Sequence, residues 1–435
     1  MKKAKMILSL AVLSIAGQIT AQTVTVDGEF RPRVEVRDGF GQPLLKTTDP
    51  LAVGMQRTRL GLSFKTGTLS TKLTIQDART YGETATSSES STTDASTSIF
   101  EAWAEMVLIP GGSLRVGRQP LKYDDGRLFN NPAWSNTGTV HDMALFKYVI
   151  NDFQANLGFA YNNSSAGKNE TYYTPTCKYR YMGLLWMTKP LAKNLNLSVI
   201  GVDEGVQDTT GLGSTSKYAK VNMFHTYTYG GNLNYGAEDT PFSLLLTYYH
   251  QSGKSSVGKT MNASLTALKA AWNICPAFGL NAGFDLFSGD DNTSDKTQRN
   301  FRKLYGTDHS FNGFMEYWTT PPTQGLADYY VTASGKASSK LNWELAGHIF
   351  NSLKDVTYAS NTTSKSLGSE LDVTLKYKMN EWATVQGGYS CYFTTKATKY
   401  LKLKSATADT YFPQWTYVML TVTPSYLKNI FTDKK

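Results

Sequence analysis

Nowhere inside this 435-residue sequence do eighteen apolar residues run together, so a helical membrane span is excluded. Cysteine is scarce: Cys177, Cys275 and Cys391 are odd in number and roughly a hundred residues apart, which suits neither a disulfide framework nor a metal site. Only five histidines occur, His141, His225, His250, His309 and His348, and no two stand at ligand spacing. No serine sits in a Gly-x-Ser-x-Gly turn. The pairings left for acid–base work are His225 with Thr226 and His348 with Glu344. Enzyme activity, a bound metal and a cofactor are therefore not expected. Charge is thin, at 18%, and the basic residues are scattered through the chain rather than massed on one face or helix. That argues against a nucleic-acid partner.

What the sequence does have begins with its one continuous apolar stretch, 6–16, behind Lys2, Lys3 and Lys5 and ahead of 17–21. A basic start, a short apolar centre and a small residue at the cut make a secretory signal peptide. Cleavage is expected after Ala21, leaving 22–435 as a single domain. The 44 basic residues less the three leader lysines, against 35 acidic ones, give the mature chain a net charge of about +6.

The first mature segment alternates. Val24, Val26, Gly28, Phe30, Pro32, Val34 and Val36 share one parity; Thr25, Asp27, Glu29, Arg31, Arg33, Glu35 and Arg37 share the other. Strand side chains point alternately to the two faces, so this predicts a strand with one apolar and one charged side. It is long for a globular strand and right for a tilted membrane-spanning one. The pattern recurs at 57–65, 69–76, 153–162, 195–201 and 242–251, then near 280–287, 312–318, 341–350, 370–377, 384–393 and 415–422. Such repetition is the signature of a transmembrane β-barrel, whose closure leaves no strand edge unpaired in lipid.

Connections fall into two sizes. Short turns at 65–69, 110–113, 150–152 and 238–241 are expected on the periplasmic side. Long polar loops at 83–98, 164–176, 204–221, 288–307 and 352–367 are expected to face outward. The spacing of strand plus loop predicts an all-β, antiparallel barrel of about 18 strands, an even number as single-chain bacterial barrels require. The last strand, with Trp415, Tyr417 and Met419 on one parity, is followed by a tail in which Phe431 is the aromatic nearest the end.

One stretch is organised around a loop: in GRQPLKYDDGRLFNNPAWSNTGTVHDMAL, 117–145, a short strand at 114–118 leads in, a polar, charged loop with Pro120 and Pro132 follows, and a second strand resumes near Met143. Its order Gly117, Arg118, Gln119, Leu121, Tyr123, Asp125, Arg127, Leu128, Trp134 and Asp142 resembles the signature of the alginate-export family of outer-membrane porins. That family usually has Gly where Asp124 stands and Phe where His141 stands. Three further passages resemble it in the same order: Gln76-Asp77-Ala78-Arg79; Ser288-Gly289-Asp290 with Tyr305-Gly306 through Gly313; and Gly368-Ser369-Glu370-Leu371-Asp372 with Gly388-Tyr389-Ser390.

The resemblance implies an eighteen-stranded porin in the outer membrane of a Gram-negative cell, its lumen narrowed by arginines with interleaved carboxylates. Arginine rings favour anions by offsetting lost hydration. The pore-lining candidates are Arg31, Arg33, Arg57, Arg59, Arg79, Arg115, Arg118 and Arg127, with Glu29, Glu35, Asp77, Glu101, Glu105, Asp124, Asp125 and Asp142. A lipid-facing Arg or Lys at mid-bilayer costs roughly 2–4 kcal/mol, so charged strand positions are expected to point inward. The alternative is that these charges are salt-bridge partners holding the barrel's shape. Three functions follow: a porin passing small hydrophilic, preferably anionic, solutes; a conduit for an acidic oligosaccharide or polysaccharide, served by a periplasmic or surface partner; or a structural or adhesive barrel with a plugged lumen. Membrane lipid is the expected surrounding in all three. Inward-folded loops favour the third, and an open arginine-lined lumen the first two.

Overall fold

The computed structural model describes residues 22–82, 96–131, 134–162, 179–207, 223–236, 240–291, 294–306, 309–358 and 362–429. The predicted leader, Cys177, Pro132, Phe431 and most of the loops predicted at 83–98, 164–176 and 204–221 lie outside them. Alternation of apolar and polar side chains makes 67% of the chain strand, with one helix, Lys396–Leu403, among the described residues. In order the strands are β1 Thr23–Asp38, β2 Leu51–Lys65, β3 Leu69–Thr80, β4 Ser96–Ile109, β5 Gly112–Gln119 and β6 His141–Ile150. Then come β7 Phe153–Tyr161, β8 Tyr181–Ala192, β9 Leu195–Gln207, β10 Met223–Tyr235, β11 Phe242–Gly253 and β12 Ala263–Cys275. The last six are β13 Phe278–Phe287, β14 Leu326–Lys336, β15 Leu341–Tyr358, β16 Thr362–Lys378, β17 Ala383–Phe393 and β18, which runs as Gln414–Val422 and Ser425–Asn429.

Each strand pairs antiparallel with the next, and β18 returns to β1 through Val34↔Val418 and Thr23↔Asn429. The barrel of eighteen strands is closed. Pro424, which has no N–H to give the ladder, marks the break in β18, and its carbonyl instead accepts from Gly28 N at 2.9 Å. Alternation sorts the wall as β1 predicts. Arg31, Arg33 and Glu35 are 3%, 5% and 1% exposed, whereas Phe30, Val34 and Val36 on the outer face are 41%, 53% and 46% exposed. Even the Tyr-rich β10 separates, with Thr226, Thr228 and Asn232 buried and Tyr227 and Tyr229 exposed.

The loops depart from expectation. The 352–367 segment is no long loop: β15 and β16 run on past the apolar band as a polar hairpin, still paired at Val356↔Ser364. Residues 312–318 form no strand, because Asn312, Gly313 and Glu316 take φ of 65°, 83° and 58°, which no extended chain can hold. Most consequential, the 288–325 connection turns into the barrel instead of outward, and joins there the 120–140 connection, whose charged residues were expected in the lumen. Phe129, Phe301, Leu304, Met315, Tyr317 and Trp318 are all buried there. Beside the polar inner wall of β1 and β2, these loop residues join inward wall residues such as Met182, Leu184 and Leu265 in an apolar core inside the lumen.

Candidate functional site

The two inward loops are joined to each other by backbone pairing. Tyr305 N donates to Leu128 O at 2.8 Å and Asn130 N to Tyr305 O at 3.1 Å. The crossing is so close that a Cβ on Gly306 would stand 2.2 Å from Arg127 O, so only glycine fits. Tyr123, Phe129, His141, Tyr179 and Tyr305 pack as an aromatic cluster around it, His141 edge-on to Tyr305 at 4.9 Å. The ring that stands where the family has Phe is thus still used as an aromatic. Asp124, where the family has Gly, takes φ 52°, a left-handed conformation that Asp tolerates better than most residues. Its carboxylate accepts from Trp186 Nε1 at 3.1 Å. Burial pushes the Tyr123 phenol up to about 12.

Wall arginines of β1 and β2 hold the first loop by its carbonyls. Arg31 donates to Trp134 O and Ser135 O at 3.1 and 2.9 Å, Arg33 to Trp134 O at 2.8 Å, Arg57 to Ser135 O at 2.6 Å and Arg59 to Thr137 O at 3.3 Å. Glu29 pairs with Arg57 at 2.5 Å and Glu35 with Arg33 and Arg37 at 2.7 Å. Charge-assisted bonds to a carbonyl row fix a loop more firmly than neutral ones would. Next to this row, Arg115 and Lys147 meet Glu105 at 2.6 and 2.5 Å, and Lys72 meets Glu101 at 3.6 Å.

Arg127 sits deeper, on the loop itself. It bridges Asp125 and, at 2.5 Å, Asp285 of β13, with its guanidinium 4.3 Å from the Phe311 ring. Burial opposes its charge, but Asp285 and Asp125 outweigh that and hold it protonated beyond the usual arginine range. Trp134 stacks on His309 at 3.9 Å, under Arg33 at the same distance, and meets Trp415 and Tyr417 edge-on. Replacing Trp134 by Ala should uncouple the two loops at a cost of about 1–3 kcal/mol. The check is a lower melting midpoint and faster proteolysis within 134–140, against an unchanged barrel signal in circular dichroism.

Not every predicted lumen residue stands inside. Asp77 and Arg79 pair with each other at 2.7 Å on the parity of Leu73 and Ile75, opposite the buried Thr74 and Gln76. Arg118 and Asp142, paired at 2.7 Å, alternate with the buried Gln119 and His141. These four sit near the loop ends of their strands, where an outward charge meets the bilayer's polar edge and costs little. Conversely, alternation would have found several carboxylates on the inner wall that were not among the pore-lining candidates. Asp285, Asp328, Glu370 and Asp372 are each 1–2% exposed and alternate with outward Leu or aromatic residues. Two of them hold the second loop: Glu370 accepts from Met315 N at 2.7 Å and Asp328 from Asn312 Nδ2 at 3.4 Å, while Asp328 also holds His348 of the wall at 2.9 Å. At Gly313, whose φ is 83°, a Cβ would strike the Glu370 carboxylate at 2.6 Å. Glu204 of β9 similarly receives Arg302 and Tyr305. Among the described residues no His, Cys, Asp or Glu cluster is arranged for a metal.

On the loop side lies a cavity of about 780 Å³, lined by His141, Asn300, Arg302 and Lys303 and reaching Arg118 and Asp142 at the strand ends. Two smaller ones, about 400 and 470 Å³, meet at Ser310, Phe314 and Glu344 and reach the turns at 276–277.

A closed, lipid-girdled antiparallel barrel with loops folded into a charged lumen is the architecture of an outer-membrane porin. The chain belongs to the alginate export family, whose model matches residues 23–407. Among curated proteins none matches significantly. Solved structures share the fold at low identity. Pseudomonas aeruginosa OccK1 (OpdK) superposes with a TM-score of 0.61 at 12% identity, covering 93% of this chain and 99% of its own. The same organism's OpdK with vanillate gives 0.60 at 12%, over 93% and 99%. Acinetobacter baumannii OccAB1 gives 0.59 at 11%, over 92% and 96%. The place of such a barrel is the outer membrane, in contact with lipid.

Proposed function

We propose that the barrel is a narrow channel for small hydrophilic solutes with a preference for anions. The observation that carries this is the imbalance of the β1–β2 wall: Arg31, Arg33, Arg37, Arg57 and Arg59 share the inward row with Asp27, Glu29 and Glu35, five guanidinium groups to three carboxylates. The groups that accept from Arg59, Gln76 Oε1 and Thr137 O, are neutral. An excess of guanidinium groups over carboxylates in a constricted, partly dry lumen lowers the barrier for an anion and raises it for a cation. The carboxylates of β13–β16 set a field across the same space. A neighbour of like fold is described with vanillate, which fits cavities that hold a small solute. In planar bilayers, with a salt gradient across the membrane, discrete steps and an anion-directed reversal potential are expected.

The inward loops favour a second reading, a plugged barrel with a structural or adhesive role. It predicts insertion without conductance, and a protein that inserts but passes no ion sinks the channel. A conduit for an acidic oligosaccharide shares the arginine wall with the leading reading. It predicts that such a polymer blocks the current at lower concentration than a small anion does.

A further inference from the structure

The outer wall carries a cavity of its own. Between β6 and β10 the lipid-facing parity holds small residues where its neighbours are large: Ala144 on β6, Gly183 on β8 and Gly201 on β9. A Cβ on Gly201 would meet nothing within 4 Å, and one on Gly183 only Asp203 Cβ at 3.9 Å. Phe146, Phe159, Leu185 and Tyr229 stand round this gap and make a groove of about 720 Å³. At its loopward end, still on the outer face, lies a polar network. Tyr181 OH and His225 Nε2 are 2.8 Å apart, and His225 Nδ1 is 2.9 Å from Asp203 Oδ1, with both members of that pair more than a third exposed.

A carboxylate–histidine pair on a lipid-facing wall is costly at mid-bilayer and tolerable only near the interface. The network therefore marks the depth at which lipid backbones begin, with an apolar groove running inward below it. We propose that this groove is a specific lipid site, holding one acyl chain of an outer-leaflet lipid against Gly183 and Gly201, with the lipid's ester and hydroxyl groups on Tyr181 and His225. A hydroxyl, an imidazole and a carboxylate can donate and accept, which suits esters and hydroxyls; a bare phosphate would be repelled by Asp203. The wall already faces hydrocarbon, so the occupant needs no partner protein. The polar end and the glycine floor distinguish this arc from β14, whose outward Tyr329 and Val331 are large and exposed.

The test is native mass spectrometry of the full barrel in mild detergent, incubated with dimyristoyl phosphatidylethanolamine. One retained lipid per wild-type barrel is expected. Gly201→Leu should weaken retention about tenfold, the effect of keeping roughly two methylene groups out of the groove. Val331→Leu, on another arc of the same face, should retain lipid as the wild type does. Tyr181→Phe, which keeps the ring and loses the hydroxyl, should weaken retention without altering the fold. Heat-modifiable gel mobility identifies folded barrels in each case, and Gly183→Ile replaces Gly201→Leu if the latter does not fold. Equal retention by wild type and groove-filled variants overturns the proposal. So does a wild type that holds no lipid but dimerises until Gly201→Leu makes it a monomer, since the groove then seats a second copy.

Discussion

Arg127→Met is expected to lose about 3–5 kcal/mol of stability, because it leaves buried carboxylates with no counter-charge. Asp285 is 1% exposed and Arg127 is its ion-pair partner, while the same guanidinium also serves Asp125 and covers Phe311. Methionine keeps most of the volume but none of the charge. A lysine in its place carries one point charge and cannot span both carboxylates, so Arg127→Lys should fall between. The double change Arg127→Met with Asp285→Asn should recover much of the loss, since the expense lies in the orphaned charge rather than in the missing bond. Denaturant midpoints in detergent micelles measure all three, and a wild-type midpoint for Arg127→Met would remove Arg127 from the structural role assigned to it.

Opening the arginine clamp should change conduction more than stability of the wall. Arg31→Ser with Arg57→Ser removes both side-chain donors to Ser135 O and one of the two to Trp134 O, leaving only Arg33 on the latter; these are charge-assisted bonds of about 1.5–3 kcal/mol each. Released from the wall, the 134–137 segment is expected to leave the lumen part of the time. Single-channel steps should then be larger and noisier, and the reversal potential should move away from the anion value as two positive charges are lost. Larger steps with unchanged selectivity would mean the arginines only hold the loop. Unchanged steps with lost selectivity would mean they act only as charges. Neither change would show that the 120–140 loop does not set the passage.

Much of the fold is readable from residues alone. The two parities of β1, with Phe30, Val34 and Val36 against Arg31, Arg33 and Glu35, fix which side faces lipid, and the same rule repeated round the ring gives a closed barrel. It also predicts inward charges at Asp285 and Asp328, which a search by motif passes over, and at Glu370 and Asp372, which the motif passage 368–372 contains without marking their face. The rule loses force near strand ends. Asp77, Arg79, Arg118 and Asp142 break the expectation that wall charges point inward, because at the membrane edge an outward ion pair is nearly free of the desolvation that enforces alternation.

Loop direction is where the sequence falls silent. Residues 312–318 look like a strand because Phe314 and Tyr317 lie among polar neighbours, yet inside the lumen Tyr317 stacks on Tyr392, itself against Phe350, and Phe314 stacks on His309. An apolar stretch records only that it is buried, not what buries it. The motif around Arg127 likewise announces chemistry without geometry, since its partner Asp285 lies 158 residues away. The sequence by itself determined the barrel, its lipid and lumen faces and the charged character of the passage, all of which follow from local alternation and the cost of charge in lipid. Only the tertiary structure decided that the long loops fill the lumen, that the arginines grip carbonyls there and that glycines open a groove on the outer wall. Those depend on pairings between residues tens to hundreds of positions apart, which no local pattern encodes.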